Sequence, residues 1–126
     1  MSKKLLIVDD QPGITRIVAL IARALGLECK AVNDPRLAID EFIAFQPDVV
    51  ILDMIMPDVD GIDVLTQIAL TGYPVKIVLS SGYGEAYMAL AAGVARFHGL
   101  ATPPMLRKPF QRSQLEELLR GVAGSC

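Results

Sequence analysis

The sequence predicts an α/β fold in which a five-stranded parallel sheet is covered by helices on both faces. Short apolar runs alternate five times with stretches of helical periodicity along the 126 residues. The runs are apolar throughout instead of alternating with polar residues, which is typical of strands buried on both faces. Parallel strands need crossover connections, and each predicted helix supplies one.

The first two strand–helix units carry clear start and stop signals. Lys4–Val8 is an apolar run that ends at two acids, and it predicts a buried strand. The helix after it has Pro12 near its start and Gly26 just past its end. Glu28–Val32 predicts the second strand, and Asn33-Asp34-Pro35 predicts the start of the next helix. The apolar residues assigned to these two helices are Ile14, Ile17, Val18, Ile21 and Leu25, then Leu37, Ala38, Phe42 and Ile43.

The rest of the chain repeats the alternation three times. Its strands are rich in branched residues, and its helices carry leucine and isoleucine at spacings of three and four. The predicted elements are a strand at Val49–Leu52, a helix from Gly61 to about Ala69, a strand at Pro74–Leu79, a helix from Glu85 to about Phe97, a short strand at Met105–Arg107 and a last helix from near Ser113.

Composition indicates one folded domain and argues against several other classes of protein. The length fits a single domain, residues 1–126, with 52% apolar and 21% charged residues. A net charge of −2 and the lack of a dense basic cluster argue against nucleic-acid binding. No apolar stretch reaches the roughly 20 residues that span a bilayer. Cys29 and Cys126 lack metal-type spacing. We expect a cytoplasmic domain that binds neither nucleic acid nor membranes, with Cys29 in the core.

Charged side chains follow three of the predicted strands at the point where each strand ends. Asp9 and Asp10 follow the first strand, Asp53 follows the third, and Lys108 follows the fifth. The carboxyl ends of parallel strands meet at one edge of a sheet, so these side chains are expected to lie close together. Carboxylates together with phosphate oxygens are typical ligands of Mg²⁺. The pattern therefore predicts a site for a divalent cation and a phosphoryl group.

These residues, with their neighbours, resemble a response regulator receiver domain over essentially the whole chain. The matching segments are Val8-Asp9-Asp10, Asp53-Met54-Ile55-Met56-Pro57 with Asp60-Gly61, Ser81-Gly82 after the fourth strand, and Lys108-Pro109-Phe110. The resemblance implies a flavodoxin-like (βα)₅ fold with strand order 2-1-3-4-5. It also implies a phospho-accepting switch in two-component or phosphorelay signalling, with a histidine kinase or histidine phosphotransfer protein as partner.

The resemblance further implies a role for each residue of the site. Asp53 is expected to accept the phosphoryl group, with Lys108 neutralising its charge. The expected ligands of Mg²⁺ are Asp10, Asp53 and the backbone carbonyl of Ile55, with Asp9 nearby. The Lys108–Pro109 peptide bond is expected to be cis, as in the family. Such a switch catalyses only its own phosphorylation and dephosphorylation and is not a turnover enzyme.

Three features of the switching region stay open. A hydroxyl after the fourth strand is expected to turn toward the phosphoryl group; Ser81 fits the family pattern best, and Ser80 also satisfies it. The family usually has an aromatic residue where this chain has Met105, and the stretch between Ser81 and Lys108 is several residues longer than usual. The apolar fourth helix is either a core helix with small outer residues or part of a homodimer or partner-docking surface; in receivers, helix 4, strand 5 and helix 5 form the surface that switches.

Other functions compete with this interpretation. A small Mg²⁺-dependent phosphohydrolase with an aspartyl nucleophile would have two aspartates separated by one residue on the first strand, whereas Asp9 and Asp10 are adjacent. A flavodoxin-like electron carrier would need a phosphate-binding loop where the acidic pair stands. A receiver-like binding module that works without phosphorylation is the remaining alternative, and the intact Asp10, Asp53 and Lys108 argue against it.

Overall fold

A computed structural model provides the structure, which describes residues 3–82 and 84–123; Cys126 lies outside the described residues. The strands are β1 (Lys4–Val8), β2 (Glu28–Val32), β3 (Val49–Asp53), β4 (Ile55–Met56), β5 (Val59–Asp60), β6 (Lys76–Ser81) and β7 (Met105–Arg107). The helices are α1 (Pro12–Ala24), α2 (Ala38–Phe45, after a 3₁₀ turn at Pro35–Leu37), α3 (Gly61–Leu70), α4 (Glu85–Phe97) and α5 (Arg112–Ala123).

Five strands form one parallel sheet in the order β2-β1-β3-β6-β7. The remaining two, β4 and β5, pair only with each other in an antiparallel ladder between β3 and α3. The fourth and fifth predicted strands are therefore β6 and β7, and the predicted order 2-1-3-4-5 is confirmed. The reversal of strand order between β1 and β3 places the end of β1 beside the end of β3, which is where ligands of such sheets bind.

The core consists of two apolar layers, one on each face of the sheet. Successive residues of a strand point to opposite faces, so each strand contributes to both layers. The layer under α1 and α5 contains Leu5, Ile7, Val49, Ile51 and Val78. The layer under α2, α3 and α4 contains Leu6, Val8, Val50, Leu52 and Leu79. This double burial explains why the strands are apolar throughout, and Cys29 lies in the first layer as expected.

Three of the apolar residues predicted for the core-facing sides of the first two helices are instead exposed to solvent. Ile17 of α1 and Ile43 of α2 are 50% and 57% exposed, and Leu37 is 48% exposed. The buried stripe of α1 is Thr15, Val18, Ala19, Ile21 and Ala22. Ile17 falls beside this stripe because the helix turns about 100° per residue, and Ile43 is rotated away from buried Phe42 in the same manner.

No helix of the described residues is both long and apolar enough to cross a bilayer.

The turn from β3 into α3 requires glycine at position 61. Asp60 caps α3, its Oδ1 accepting a hydrogen bond of 2.9 Å from the backbone amide of Ile62. A Cβ atom on Gly61 would lie 2.6 Å from the carbonyl oxygen of Met54 and 2.8 Å from its Cα. Both are backbone atoms, so neither can move aside cheaply. The close approach of Gly61 to Met54 therefore fixes the path of the chain just after Asp53.

The Gly61→Ala variant is expected to lower the free energy of unfolding by about 1–3 kcal/mol, because the added methyl group must displace backbone. The matched control is Gly121→Ala in α5, where an added Cβ meets nothing within 4 Å. That exchange is expected to raise stability by about 0.5–1 kcal/mol through helix propensity. Urea unfolding of both variants measures the difference, and equal stabilities would contradict a steric role for Gly61.

Candidate functional site

Hydrogen bonds to its backbone and to its side chain hold Asp9 at the end of β1. Its backbone amide donates to the carbonyl of Val32 at the end of β2, at 3.1 Å. Its Oδ1 accepts from the backbone amide of Gln11 at 2.9 Å, just before α1 begins. The side chain is 1% exposed, while Asp10 is only partly buried. The acidic pair thus offers one carboxylate inside the protein and one nearer to solvent.

Asp53 is the last residue of β3 and lies in the same cluster. One carboxylate oxygen from each of Asp9, Asp10 and Asp53 lies within 4.8 Å of the other two. The backbone amide of Ile55 donates to Asp53 Oδ1 at 3.1 Å, which fixes the orientation of the carboxylate. Burial, followed by repulsion from Asp9, raises the pKa of Asp53 to about 6, although Ile55 and Lys108 act in the opposite direction.

Lys108, directly after β7, brings an ammonium group to these carboxylates. Its backbone amide donates to the carbonyl of Ser81 at 3.0 Å, which fixes the end of β7 to the end of β6. Its Nζ lies 2.6 Å from Asp9 Oδ2 and 3.2 Å from Asp53 Oδ2. Burial opposes the charge of Lys108, but the two aspartates outweigh burial and hold its pKa above the ordinary value. The Lys108–Pro109 bond is cis, as expected.

The charge balance of the cluster fits a divalent cation. Three carboxylates and one ammonium leave two negative charges without compensation when all three acids are ionised. Asp9 Oδ2 is buried and lies near the ammonium of Lys108. Among the described residues, no group meets the angles of a hydrogen bond to this oxygen. Oxygen ligands of this kind suit Mg²⁺, which typically takes one or two carboxylates and keeps several waters. The residues present therefore fit the predicted metal.

Ser80 and Ser81 both lie at this edge of the sheet, and both are buried. Ser80 stands opposite Asp53 in the register between β3 and β6. Ser81 is the last residue of β6, and its carbonyl accepts the Lys108 amide. Their side chains point to opposite faces because strand residues alternate. The geometry leaves the choice between the two hydroxyls open.

Asn33 and Thr15 support the acidic pair, a role that the sequence pattern did not reveal. Asn33 Nδ2 donates to the carbonyl of Asp9 and to Thr15 Oγ1, each at 2.9 Å. Thr15 in turn donates to the carbonyl of Pro12 at 3.1 Å. The network ties the ends of β1 and β2 to the first turn of α1. The sequence signal at Asn33 is its position directly after a strand, which predicts a helix cap and not a contact with Asp9.

The pKa of Asp53 predicts how stability depends on pH when no metal is present. The folded state holds the Asp53 proton more tightly than the unfolded chain, whose carboxyl has its ordinary pKa of 3.8. Ionised Asp53 therefore costs folding free energy above about pH 6, and the cost disappears as the pH falls toward 4.

The Asp53→Asn variant is accordingly expected to be more stable than the wild type at pH 7.5 by about 1–2 kcal/mol, with the gain shrinking toward pH 4. The matched control is Asp34→Asn, because the hydrogen bonds from Arg36 lower the pKa of the exposed Asp34 and no such gain is expected. Urea unfolding with EDTA at both pH values tests this. A difference between wild type and Asp53→Asn that is equal at the two pH values would contradict it.

Comparison with known proteins agrees with the fold. Residues 5–120 match the family model described as the response regulator receiver domain. The chain is 31% identical to the chemotaxis protein CheY of Thermotoga maritima over 127 residues, covering 98% of this chain and 99% of that protein. It is 27% identical to the sporulation initiation phosphotransferase F of Bacillus subtilis, covering 95% of this chain and 93% of that protein.

Larger proteins contain a similar segment. The chain is 35% identical to a protein-glutamate methylesterase/protein-glutamine glutaminase of Chromobacterium violaceum, over its whole length but only 36% of that protein. It likewise spans 44% of the transcriptional regulatory protein TrcR of Mycobacterium tuberculosis, at 28% identity. The chain thus spans less than half the length of these two relatives.

Solved structures show the same architecture. A response regulator of Colwellia psychrerythraea superposes with a TM-score of 0.77 at 28% identity, covering 98% of both chains. The chemotaxis protein CheY4 of Vibrio cholerae gives a TM-score of 0.83 at 22% identity, covering 97% of this chain and 99% of that chain, which is a likeness of fold. Together with the family match over residues 5–120, these findings show that the chain belongs to the response regulator receiver domain family.

Proposed function

We propose that Asp53 accepts a phosphoryl group from a phosphohistidine of a histidine kinase or a histidine phosphotransfer protein. Receiver domains act in signalling with such partners, and the match to the family supports the same role for this chain. The observation that carries the proposal is the cluster itself. A buried carboxylate of raised pKa lies 3.2 Å from an ammonium and within 4.8 Å of two further carboxylates at the carboxyl edge of the sheet.

The transfer needs an ionised Asp53 carboxylate as nucleophile. One of its oxygens attacks the phosphorus of the phosphohistidine, the P–N bond breaks, and the histidine nitrogen retains the electron pair. A pKa of about 6 leaves Asp53 mostly ionised at neutral pH. The hydrogen bond from the Ile55 amide holds Oδ1, and Lys108 contacts Oδ2. The carboxylate is therefore oriented before the phosphodonor arrives.

Asp10, Asp53 and the backbone carbonyl of Ile55 would hold Mg²⁺, with Asp9 beside it. When bound, Mg²⁺ supplies positive charge that stabilises the phosphoryl oxygens during transfer. Lys108 adds a second positive charge from the protein, and its contacts with both Asp9 and Asp53 support a role in neutralising the phosphoryl oxygens. Because two negative charges of the cluster are uncompensated, the cluster attracts Mg²⁺ before phosphorylation.

Phosphorylation of Asp53 is expected to depend on both the carboxylate and Mg²⁺. Acetyl phosphate with millimolar Mg²⁺ should add the mass of one phosphoryl group to the wild type, and intact-mass spectrometry measures this. The Asp53→Asn variant should gain none, because an amide is not a nucleophile for this reaction. Asp34→Asn serves as control and should behave as the wild type does. Equal labelling of wild type and Asp53→Asn, or labelling unchanged by EDTA, would sink the proposal.

We further propose that Ser81, in preference to Ser80, responds to the phosphoryl group. The carbonyl of Ser81 accepts the amide of Lys108, so a movement of this residue reaches the lysine directly. Ser81 is also the last residue of β6, where the chain leaves the sheet toward α4.

The two serines give a matched pair of single-oxygen deletions. In the Ser81→Ala variant, beryllofluoride with Mg²⁺ is expected to bind, but amide chemical-shift changes in α4 should fall to less than about half of those in the wild type, because the hydroxyl no longer favours one loop position. Ser80→Ala should keep the full response. The reverse result would assign the role to Ser80, and a full response in both variants would exclude either hydroxyl.

The remaining alternatives have weaker support. We propose that the chain is a switch without a turnover substrate; the methylesterase named above is about three times longer, so its activity is a property of a larger protein. A module that works without phosphorylation would not need the ionic arrangement of Asp9, Asp53 and Lys108.

A homodimer through α4, β7 and α5 stays a prediction, and the exposed Leu90, Phe97 and Met105 lie on these elements.

A further inference from the structure

Tyr87 of α4 takes part in capping a different helix, α3. Its hydroxyl donates a hydrogen bond to Asp60 Oδ1 and accepts one of 3.0 Å from the backbone amide of Ile62. The Ile62 amide also donates to Asp60 Oδ1, at 2.9 Å. The first turn of α3 is therefore capped jointly by its own N-cap residue and by a tyrosine that is 27 residues from Asp60 in sequence.

The shared cap is close to the phosphoacceptor along the backbone. Asp60 stands directly opposite Ile55 in the antiparallel ladder between β4 and β5. The amide of Ile55 donates to Asp53 Oδ1 at 3.1 Å. Two short links, one across the ladder and one through this hydrogen bond, thus join the cap to the Asp53 carboxylate.

A second connection runs through side chains at the start of α4. Gly84 is the N-cap of α4, with a φ of 83°. A Cβ placed on Gly84 would lie 3.8 Å from Ile55 Cδ1 and 3.8 Å from Tyr87 Cβ. Ile55, Gly84 and Tyr87 are therefore neighbours in space. A change in the backbone at Ile55 would be felt at the start of α4 by contact as well as through the cap.

Met105 offers no comparable connection. It lies on β7, its side chain is 38% exposed, and it has neither a ring nor a hydroxyl that could be held in alternative positions. Tyr87 is partly buried against the apolar layer under α2, α3 and α4. It combines a rigid ring anchored on α4 with a hydroxyl anchored on α3.

We propose that Tyr87 is a positioning residue that couples the phosphoacceptor segment, residues 53–60, to α4. The inference rests on the proposed phosphorylation of Asp53. A new group on Asp53 changes the surroundings of Ile55, this change reaches Asp60 across the ladder, and the Tyr87 hydroxyl transmits it to α4. Coupling between sites is reciprocal, so the position of α4 also biases the segment that contains Asp53 and Ile55.

The test is amide hydrogen exchange of the full chain, with and without beryllofluoride and Mg²⁺. In the wild type, beryllofluoride is expected to change exchange in the first two turns of α4. In the Tyr87→Phe variant without beryllofluoride, the Ile62 amide should exchange about two- to tenfold faster, as expected for one lost hydrogen bond. The beryllofluoride effect on α4 should fall below about a third of the wild-type effect, while amides around Asp53 still respond.

Tyr73→Phe is the matched control, because the Tyr73 hydroxyl also bonds to a distant group, the carbonyl of Gln46 at 3.0 Å. It should leave the α4 response intact. Asp60→Ala should reduce the α4 response as Tyr87→Phe does, and the double variant should lose no more of that response, since both variants remove the same hydrogen bond between Tyr87 and Asp60.

Either of two outcomes would overturn the coupling and leave the proposed phosphorylation of Asp53 standing. One is a full α4 response in Tyr87→Phe, and the other is an equal loss of the α4 response in Tyr73→Phe. A wild type whose amides around Asp53 ignore beryllofluoride would contradict the proposed function and this inference together.

Discussion

The crowding of three carboxylates around one ammonium at the carboxyl edge of the sheet is the constraint on which the rest of the structure depends. Asp9, Asp10 and Asp53 repel one another, and Lys108 compensates only one of their charges. Burial of the Asp53 carboxylate, and after it repulsion from Asp9, raises the pKa of Asp53. Folding tolerates the cost because the apolar strands on either side bury their side chains in two full layers.

The same imbalance explains why the cluster is suited to taking up a cation and a phosphoryl group. A site that was already neutral would gain little from binding an ion. Here hydrogen bonds hold the charged residues in place: Val32 and Asn33 fix Asp9, Ile55 fixes Asp53, and Ser81 fixes Lys108. The charge is therefore preorganised, and binding need not pay for ordering the ligands.

The connection between this edge and helices α3 and α4 runs through the segment after Asp53. The close contact between Gly61 and Met54 leaves that segment little freedom, and the β4–β5 ladder sets Ile55 against Asp60. A change at Asp53 is thus directed toward the start of α3 and, through Tyr87, toward α4. Met105 on β7 has neither a ring nor a hydroxyl, whereas Tyr87 has both and bonds to Asp60 and Ile62.

The sequence by itself determined the five strands of the parallel sheet, the helices and the residues gathered at the sheet edge, but not the short β4–β5 ladder. Those features follow from local periodicity and from the rule that parallel strands end on one side. Tertiary structure alone decided that Ile17 and Ile43 face solvent, that Asn33 supports Asp9, and that Tyr87 reaches Asp60. Each of these depends on how a helix is rotated and packed against a distant element, and residues 24 or 27 positions apart leave no periodic signal in the chain.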